Sequence, residues 1–290
     1  MNSLVNYTNG ISYEIIVVDN NSDEGSVQTI TAKYKNVILI ENEKNVGFAR
    51  ANNIGIEQTQ GKYFLMLNND TIFYENTLKR IFDFTESQGI ELFVGCKLLN
   101  SDGTNQISIV DFDNTLNSFG ENFFLYKLFP RSKIFNRYNI NYKKLNAPVE
   151  VDIIKGAFMF CSSSAIRKLK GFDPRFFFYG EETDICYRFK AQGGKIFYYP
   201  NTSIFHVGGA TVDSYPWFKF KNQNISKIKK YQKHYKGIDF FLMITFHYCG
   251  LLLRIPFYFI KGLVRMNKEF IIQSYYYLKL LFIYPKNEFK

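Results

Sequence analysis

The segment from Glu14 to Asp19, Glu-Ile-Ile-Val-Val-Asp, constrains the fold most. It reads as a buried parallel strand with Asp19 at its C-terminal end. Val37 to Ile40 reads as a second such strand and Tyr63 to Leu67 as a third. Such strands call for an α/β fold, and in open α/β sheets ligands bind just outside the carboxyl ends of the strands. The first strand runs into Asp19-Asn20-Asn21, and the third into Asn68-Asn69-Asp70. Asn and Asp are good turn formers, so either cluster alone reads as a loop. Two clusters at matching strand ends favour a ligand.

Between them lies Asn45-Val46-Gly47-Phe48-Ala49-Arg50-Ala51-Asn52-Asn53. This is a loop entering a helix, with Gly47 supplying freedom at the turn. Backbone N–H groups at such a helix start attract phosphate, and Arg50 could add a forked donor. The alternative is an ordinary surface arginine, since this is not a GxGxxG fingerprint.

Further along, Phe176-Phe177-Phe178-Tyr179 precedes Gly180-Glu181-Glu182-Thr183-Asp184. Three carboxylates beside so much aromatic surface are not placed there by packing, because burying an unpaired charge is costly. A carboxylate near apolar surface can have a raised pKa, which suits a general base. The competing reading is the acidic first turn of a helix.

Taken in order, VVDNNS, NVGFARANN, LNND, GFDPRFFFYGEETDICYR and YPNTSIFHVGGAT resemble the family 2 glycosyltransferases, over roughly Leu4 to Thr211. Within them the chain is most similar to bacterial rhamnosyltransferase-like enzymes of surface polysaccharide assembly. The resemblance implies a GT-A fold: a Rossmann-like α/β mixed sheet with flanking helices and a metal-dependent site. It also implies transfer of a sugar from a nucleotide-diphosphate donor with inversion at the anomeric carbon. On the same basis Asp19 contacts the nucleoside, with Asn21 and Arg50 on the donor side. Asn68-Asn69-Asp70 is the DXD-type motif, with Asn68 in place of its first acid, and Asp70 binds the metal. Glu182 is the general base, Glu181 its partner and Asp184 a nearby supporting acid. His206 completes the metal shell; its alternative is a structural histidine closing a strand. Gly156, Phe158 and Tyr179 belong to the acceptor side. Magnesium prefers oxygen ligands whereas manganese tolerates an imidazole beside carboxylates, so His206 favours Mn over Mg.

Family members open with a strand and a helix before the VVD strand. Too few residues separate Tyr7 from Glu14 for a crossover, which needs at least about ten to twelve. Met1 to Val5 looks instead like the end of the first helix. The expectation is a domain lacking its first strand and most of its first helix, with weakened donor binding. This leaves a catalytically impaired remnant that keeps membrane or partner binding as the competing function.

In the middle, Ile81 to Ser87 continues a helix and Glu91 to Leu99 reads as a strand, with Asn100 to Gly103 as a hairpin turn. Ile107 to Leu145 is aromatic, basic and irregular. Val151 to Ser162 reads as a strand.

The four cysteines, Cys96, Cys161, Cys186 and Cys249, have no zinc or redox spacing and read as reduced and cytosolic. The domain boundary is expected near Thr211. Residues 212–290 then form a basic, aromatic, membrane-associated region. Phe240 to Leu253 is an apolar stretch shorter than the roughly twenty residues of a spanning helix. Arg254 and Pro256 argue against merging Phe240 to Val264 into one spanning helix, and a second aromatic stretch runs from Phe270 to Tyr284. Interfacial amphipathic helices with basic flanks fit best; the alternative is a helical pair packed on the catalytic domain. The formal net charge of +10 suits an anionic membrane surface and a lipid-linked glycan acceptor. No nucleic-acid signature accompanies it. The expected location is the cytoplasmic face of the bacterial inner membrane.

Overall fold

The computed structural model describes residues 1–22, 25–138, 145–208 and 215–283. Gly209 to Thr211 of the last motif, part of the irregular segment (139–144) and Tyr284 lie outside the described residues.

The elements begin with α1 (Asn2–Tyr7), β1 (Ile15–Asp19), α2 (Ser26–Lys33), β2 (Val37–Glu41) and α3 (Phe48–Gln58). Next come β3 (Tyr63–Leu67), β4 (Thr71–Ile72), α4 (Thr77–Gln88), β5 (Leu92–Leu99) and β6 (Ile109–Val110). After these lie α5 (Thr115–Asn122), α6 (Leu125–Leu128), β7 (Val149–Glu150), β8 (Ile153–Ile154) and β9 (Phe158–Ser162). The last are α7 (Ser163–Lys168), α8 (Glu181–Ala191), β10 (Lys195–His206), α9 (Pro216–His234), α10 (Gly237–Val264) and α11 (Lys268–Ile283).

The chain divides into two compact units, Met1–Asp111 with Ile140–Ala210, and Phe112–Asn139 with Thr211–Lys290. The expected boundary near Thr211 therefore omits one excursion: part of the segment read as irregular, including α5, folds with the C-terminal helices.

In the first unit β1 and β2 pair in parallel, Ile15 opposite Val37 through Asp19 opposite Glu41. The third strand does not continue that ladder. β3 runs antiparallel to β9 in a separate mixed sheet of order β3-β9-β5-β10-β4, with β7 also on β10. β5 and β10 are parallel, with an irregularity between Tyr199 and Ser203. β5 is central and buried on both faces, which explains its continuous apolar run. Gly95 within it is required, since a Cβ there would lie 2.8 Å from Ile154. Helix α8 is locked against this sheet by Phe189, whose ring stacks on Phe93 at 4.0 Å.

The segment read as one strand from Val151 to Ser162 is two strands, β8 and β9, turning at Gly156. The second unit is helical. Ile225 and Ile228 of α9 pack with Leu251 of α10 and with Tyr277 and Leu280 of α11. Helix α10 is continuous through Arg254 and Pro256, against the expected break. Arg254 costs the helix little because its guanidinium donates to the Glu121 and Asn122 carbonyls, both at 2.7 Å. These are the last carbonyls of α5, which lack helical donors and favour a cation.

Candidate active site

The β4–β10 ladder pairs His206 with Thr71 and so brings the imidazole beside Asp70. His206 Nε2 lies 3.2 Å from Asp70 Oδ1 and 3.2 Å from Asn68 Nδ2. Asp70 Oδ2 accepts the Gly208 N–H at 3.0 Å. The hydrogen bond with His206 holds the Asp70 carboxyl below its ordinary range, outweighing partial burial.

The other side of the ring is set by a residue the sequence did not single out. Gln106 donates its amide N–H to Asn100 Oδ1 at 3.0 Å and to the His206 carbonyl at 3.1 Å. Its Oε1 then faces His206 Nδ1 at 2.6 Å. With that orientation Nδ1 carries a proton, and Nε2 is aimed at Asp70. A cation between Nε2 and Asp70 would satisfy this face. Apart from the ring, Asp70 Oδ1 has no hydrogen-bond partner among the described residues, and Asn68 Oδ1 is also buried without one. A carboxylate, an amide oxygen and an imidazole form a donor set that fits Mn more readily than Mg. Among the described residues no group of three or more His, Cys, Asp or Glu gathers at one point. Asn69 is exposed beside this cluster.

The acidic motif forms the first turn of α8. Tyr179 and Gly180 both have positive φ, +68° and +86°. For Tyr179 that conformation costs about 1–2 kcal/mol, a strain typical of functional loops. Glu181 is buried, and Glu182 stands near Gly156, whose missing side chain would meet Glu182 Cβ at 3.6 Å. Lys155 Nζ, also unforeseen, is 3.8 Å from Glu182 Oε1. The Oε2 atoms of Glu181 and Glu182 are buried without partners among the described residues. Burial first, and the adjacent Glu182 second, push the Glu181 pKa well above the ordinary 4.5. Burial thus favours the protonated form of Glu181.

This shift has a stability consequence. Above about pH 4.5 the unfolded chain releases the Glu181 proton while the folded chain keeps it. Fewer protons on the unfolded state mean that stability falls as pH rises through that window. Glu181→Gln is expected to flatten the fall. Thermal melts at successive pH values would check this, and an unchanged slope in the variant would count against a buried neutral acid.

Asp184 has a supporting role only, and the acceptor-side assignment of Phe158 needs correction. Asp184 is fully buried and paired with Arg188 at 2.8 Å. Arg188 in turn donates to the Leu169 and Gly171 carbonyls at 2.6 and 2.8 Å. Asp184 anchors α8 to the preceding loop and cannot touch a substrate. Phe158 is likewise a core residue, 1% exposed and packed near Phe73, because both faces of β9 are covered. Gly156 lies in the turn before it, beside Glu182.

On the expected donor side, Asp19 ends β1, and its Oδ2 accepts the Ser22 N–H at 3.1 Å. Asn21 sits at φ +62° in the same turn, and Arg50 is exposed on α3. Among the described residues no hydrogen bond or ion pair joins Asp19, Asn21 or Arg50 to Asp70. The α3 start is not bare: the Phe48 N–H donates to the Phe177 carbonyl at 2.8 Å. Gly47, at φ +87°, permits this approach, since a Cβ would lie 2.7 Å from the Phe177 ring. Asn53 completes the joint by bonding the Phe172 backbone at both ends, at 2.7 and 2.8 Å. Thus the NVGFARANN and GFDPRFFFYGEE motifs pack together.

The pattern described as Glycosyl transferase family 2 matches residues 1–162, more than half of the chain, so the chain belongs to this family and is a glycosyltransferase. A second pattern, the N-terminal domain of galactosyltransferase, matches residues 136–208. Rhamnosyltransferase WbbL of Escherichia coli (strain K12) is 26% identical over 202 residues, 67% of this chain and 72% of WbbL. Poly(ribitol-phosphate) beta-N-acetylglucosaminyltransferase TarP of Staphylococcus aureus (strain N315) is 26% identical over 99 residues, 33% of this chain and 30% of TarP. Among solved structures, S. aureus TarS has a TM-score of 0.49 at 16% identity, covering 79% of this chain and 36% of that one. GalNAc-T7 with UDP, GalNAc and Mn2+ has a TM-score of 0.47 at 16% identity, covering 67% and 37%. The chain thus spans about a third of TarP and of both structural neighbours.

Proposed function

We propose that the chain is an inverting, divalent-metal-dependent glycosyltransferase that extends a lipid-linked or growing surface-polysaccharide acceptor at the cytoplasmic face of a bacterial inner membrane. The observation that carries this reading is the pair of carboxylate centres, Asp70 beside His206 and Glu182 beside Glu181. Similarity to WbbL supports a rhamnosyl donor. The galactosyltransferase match keeps a galactosyl donor as the alternative.

Asp70 and His206 would hold a divalent ion, Mn or Mg, whose chemistry there is Lewis-acid neutralisation of a leaving diphosphate. The orphaned oxygens of Asn68 and Asp70 support that reading. On the other side, Glu182 takes the proton of an acceptor hydroxyl. The hydroxyl oxygen forms the new bond to the anomeric carbon, and the sugar–diphosphate bond breaks with its electron pair leaving on the nucleotide. Attack and departure on opposite faces give inversion. Lys155 holds the Glu182 carboxylate in place from one side. Burial favours the neutral form of Glu181 beside it.

Titrating the chain with UDP, dTDP and GDP, each with and without Mn2+, tests this reading. Metal-dependent binding of one nucleotide is expected; a folded chain that binds none overturns the donor site. Gln106→Leu removes the partner of His206 Nδ1. It is expected to weaken Mn2+ binding about 10–100-fold, read from the free-ion electron paramagnetic resonance signal. An unchanged affinity would make Gln106 a packing residue only.

A further inference from the structure

Helices α10 and α11 form an antiparallel pair, with Gly262 packed against Ile271 and Ser274 Oγ donating to the Ile255 carbonyl at 2.8 Å. Helix α9 covers one side of the pair through Ile225 and Ile228. The uncovered side is apolar on both helices. Leu252, Phe257, Ile260 and Leu263 of α10 and Ile272 and Phe282 of α11 are all exposed. Met266, in the turn joining them, is 93% exposed. A bare face of this size marks a binding surface.

Charge decides the partner. From Phe240 to Phe282 the sole acid is Glu269, against Arg254, Lys261, Arg265, Lys268 and Lys279. Arg254 is used internally on α5, and Lys261 Nζ lies 3.9 Å over the Phe270 ring. Arg265 and Lys268 remain exposed at the turn. Apolar surface rimmed by cations fits an anionic lipid leaflet.

Length and charge also decide the orientation. Helix α10 has 28 residues, and its most apolar window has a mean hydropathy of 1.6. At 1.5 Å per residue that is about 42 Å, enough for a bilayer core of about 30 Å. However, one side of its first half is covered within the unit: Met243, His247 and Leu251 are buried, and Phe246 meets the Phe119 ring at 5.1 Å, while Phe241 and Cys249 stay exposed. The densely exposed apolar stretch runs from Leu252 to Val264, about 20 Å, too short to cross by itself. A vertical plunge would also carry Arg265, Lys268 and Glu269 into hydrocarbon.

We infer that the α10–α11 pair lies in the plane of an anionic leaflet, its apolar face embedded and Arg265 and Lys268 at the headgroups. This deepens the proposed function, which places the enzyme at a membrane, but stands on different residues from its active site. The test floats the full chain with phosphatidylcholine vesicles, with and without phosphatidylglycerol. The chain is expected to float with the anionic vesicles. An Ile260→Ser, Leu263→Ser, Phe282→Ser triple variant is expected to lose partitioning about a hundredfold or more, with unchanged circular dichroism and nucleotide binding. Arg265→Gln with Lys268→Gln, which leaves the helices' apolar face intact, is expected to lose about thirtyfold for anionic vesicles only. A parent chain that ignores both vesicle types overturns the inference, as does a triple variant that floats like the parent. A parent dimer that the triple variant converts to monomer would assign the face to a second copy instead. Nucleotide binding is read separately, so failure of the enzymatic reading is distinguishable from failure of this one.

Discussion

Glu182→Gln is expected to lower turnover about 10²–10⁴-fold while leaving metal-dependent nucleotide affinity unchanged. The amide keeps the size of the side chain and its place beside Gly156 but cannot accept the hydroxyl proton. Glu181→Gln supplies the contrast. Burial and the neighbouring Glu182 raise the Glu181 pKa and favour its neutral form, so an amide there should change turnover little. Measuring sugar transfer and nucleotide binding on both variants separates the roles. Full turnover in Glu182→Gln with collapse in Glu181→Gln would exchange them; equal small losses would remove the pair from the chemistry.

Asp113→Ala is expected to destabilise the second unit by about 3–5 kcal/mol. The Asp113 carboxylate is almost fully buried and forms ion pairs with Arg137 and Lys230. Burial pushes its pKa up, but Lys230 and Arg137 outweigh that and hold it below its ordinary 3.8. The contribution is therefore present above pH 3.8 and is lost as pH falls further. Removing the carboxylate leaves the buried Arg137 and Lys230 facing each other without it. Lys227 keeps its own partner, Glu121, at 2.8 Å. Denaturant melts of Asp113→Ala and Asp113→Asn at neutral pH check the size; a loss below about 1 kcal/mol, the scale of a surface pair, would show that the cluster is solvated.

Much of the site was legible because its signals are local. Strands β1, β2 and β3 are short apolar runs, and their Asp and Asn ends mark themselves. The partners were less legible where they lie far apart. His206 and Gln106 are separated by 100 residues, and nothing in the Gln106 neighbourhood signals an imidazole. The pairing of β3 with β9 is equally non-local. Phe158 was misplaced because alternation along a strand names two faces without saying which are covered, and β9 is covered on both. The supporting role of Asp184 also had a local signal: Arg188 lies at i+4 on the same helix, the spacing of an ion pair. Helix α10 was split because Pro256 and an isolated arginine read as a break. Packing overrode that reading once α5 supplied carbonyls for Arg254. The aromatic residues of 112–138 read as irregular because the helices that cover them come a hundred residues later.

That excursion limits how the protein can be divided. A protease cut or stop codon just before α9 would keep α5 but discard Lys230, Tyr231 and Arg254. Asp113 would then face Arg137 alone, the last carbonyls of α5 would lose their cation, and Phe119 and Phe123 would lose Phe246. Such a fragment would carry a sticky, half-paired insert in its middle. A well-behaved catalytic fragment calls for two excisions, with 112–138 bridged by a short linker as well as the tail removed.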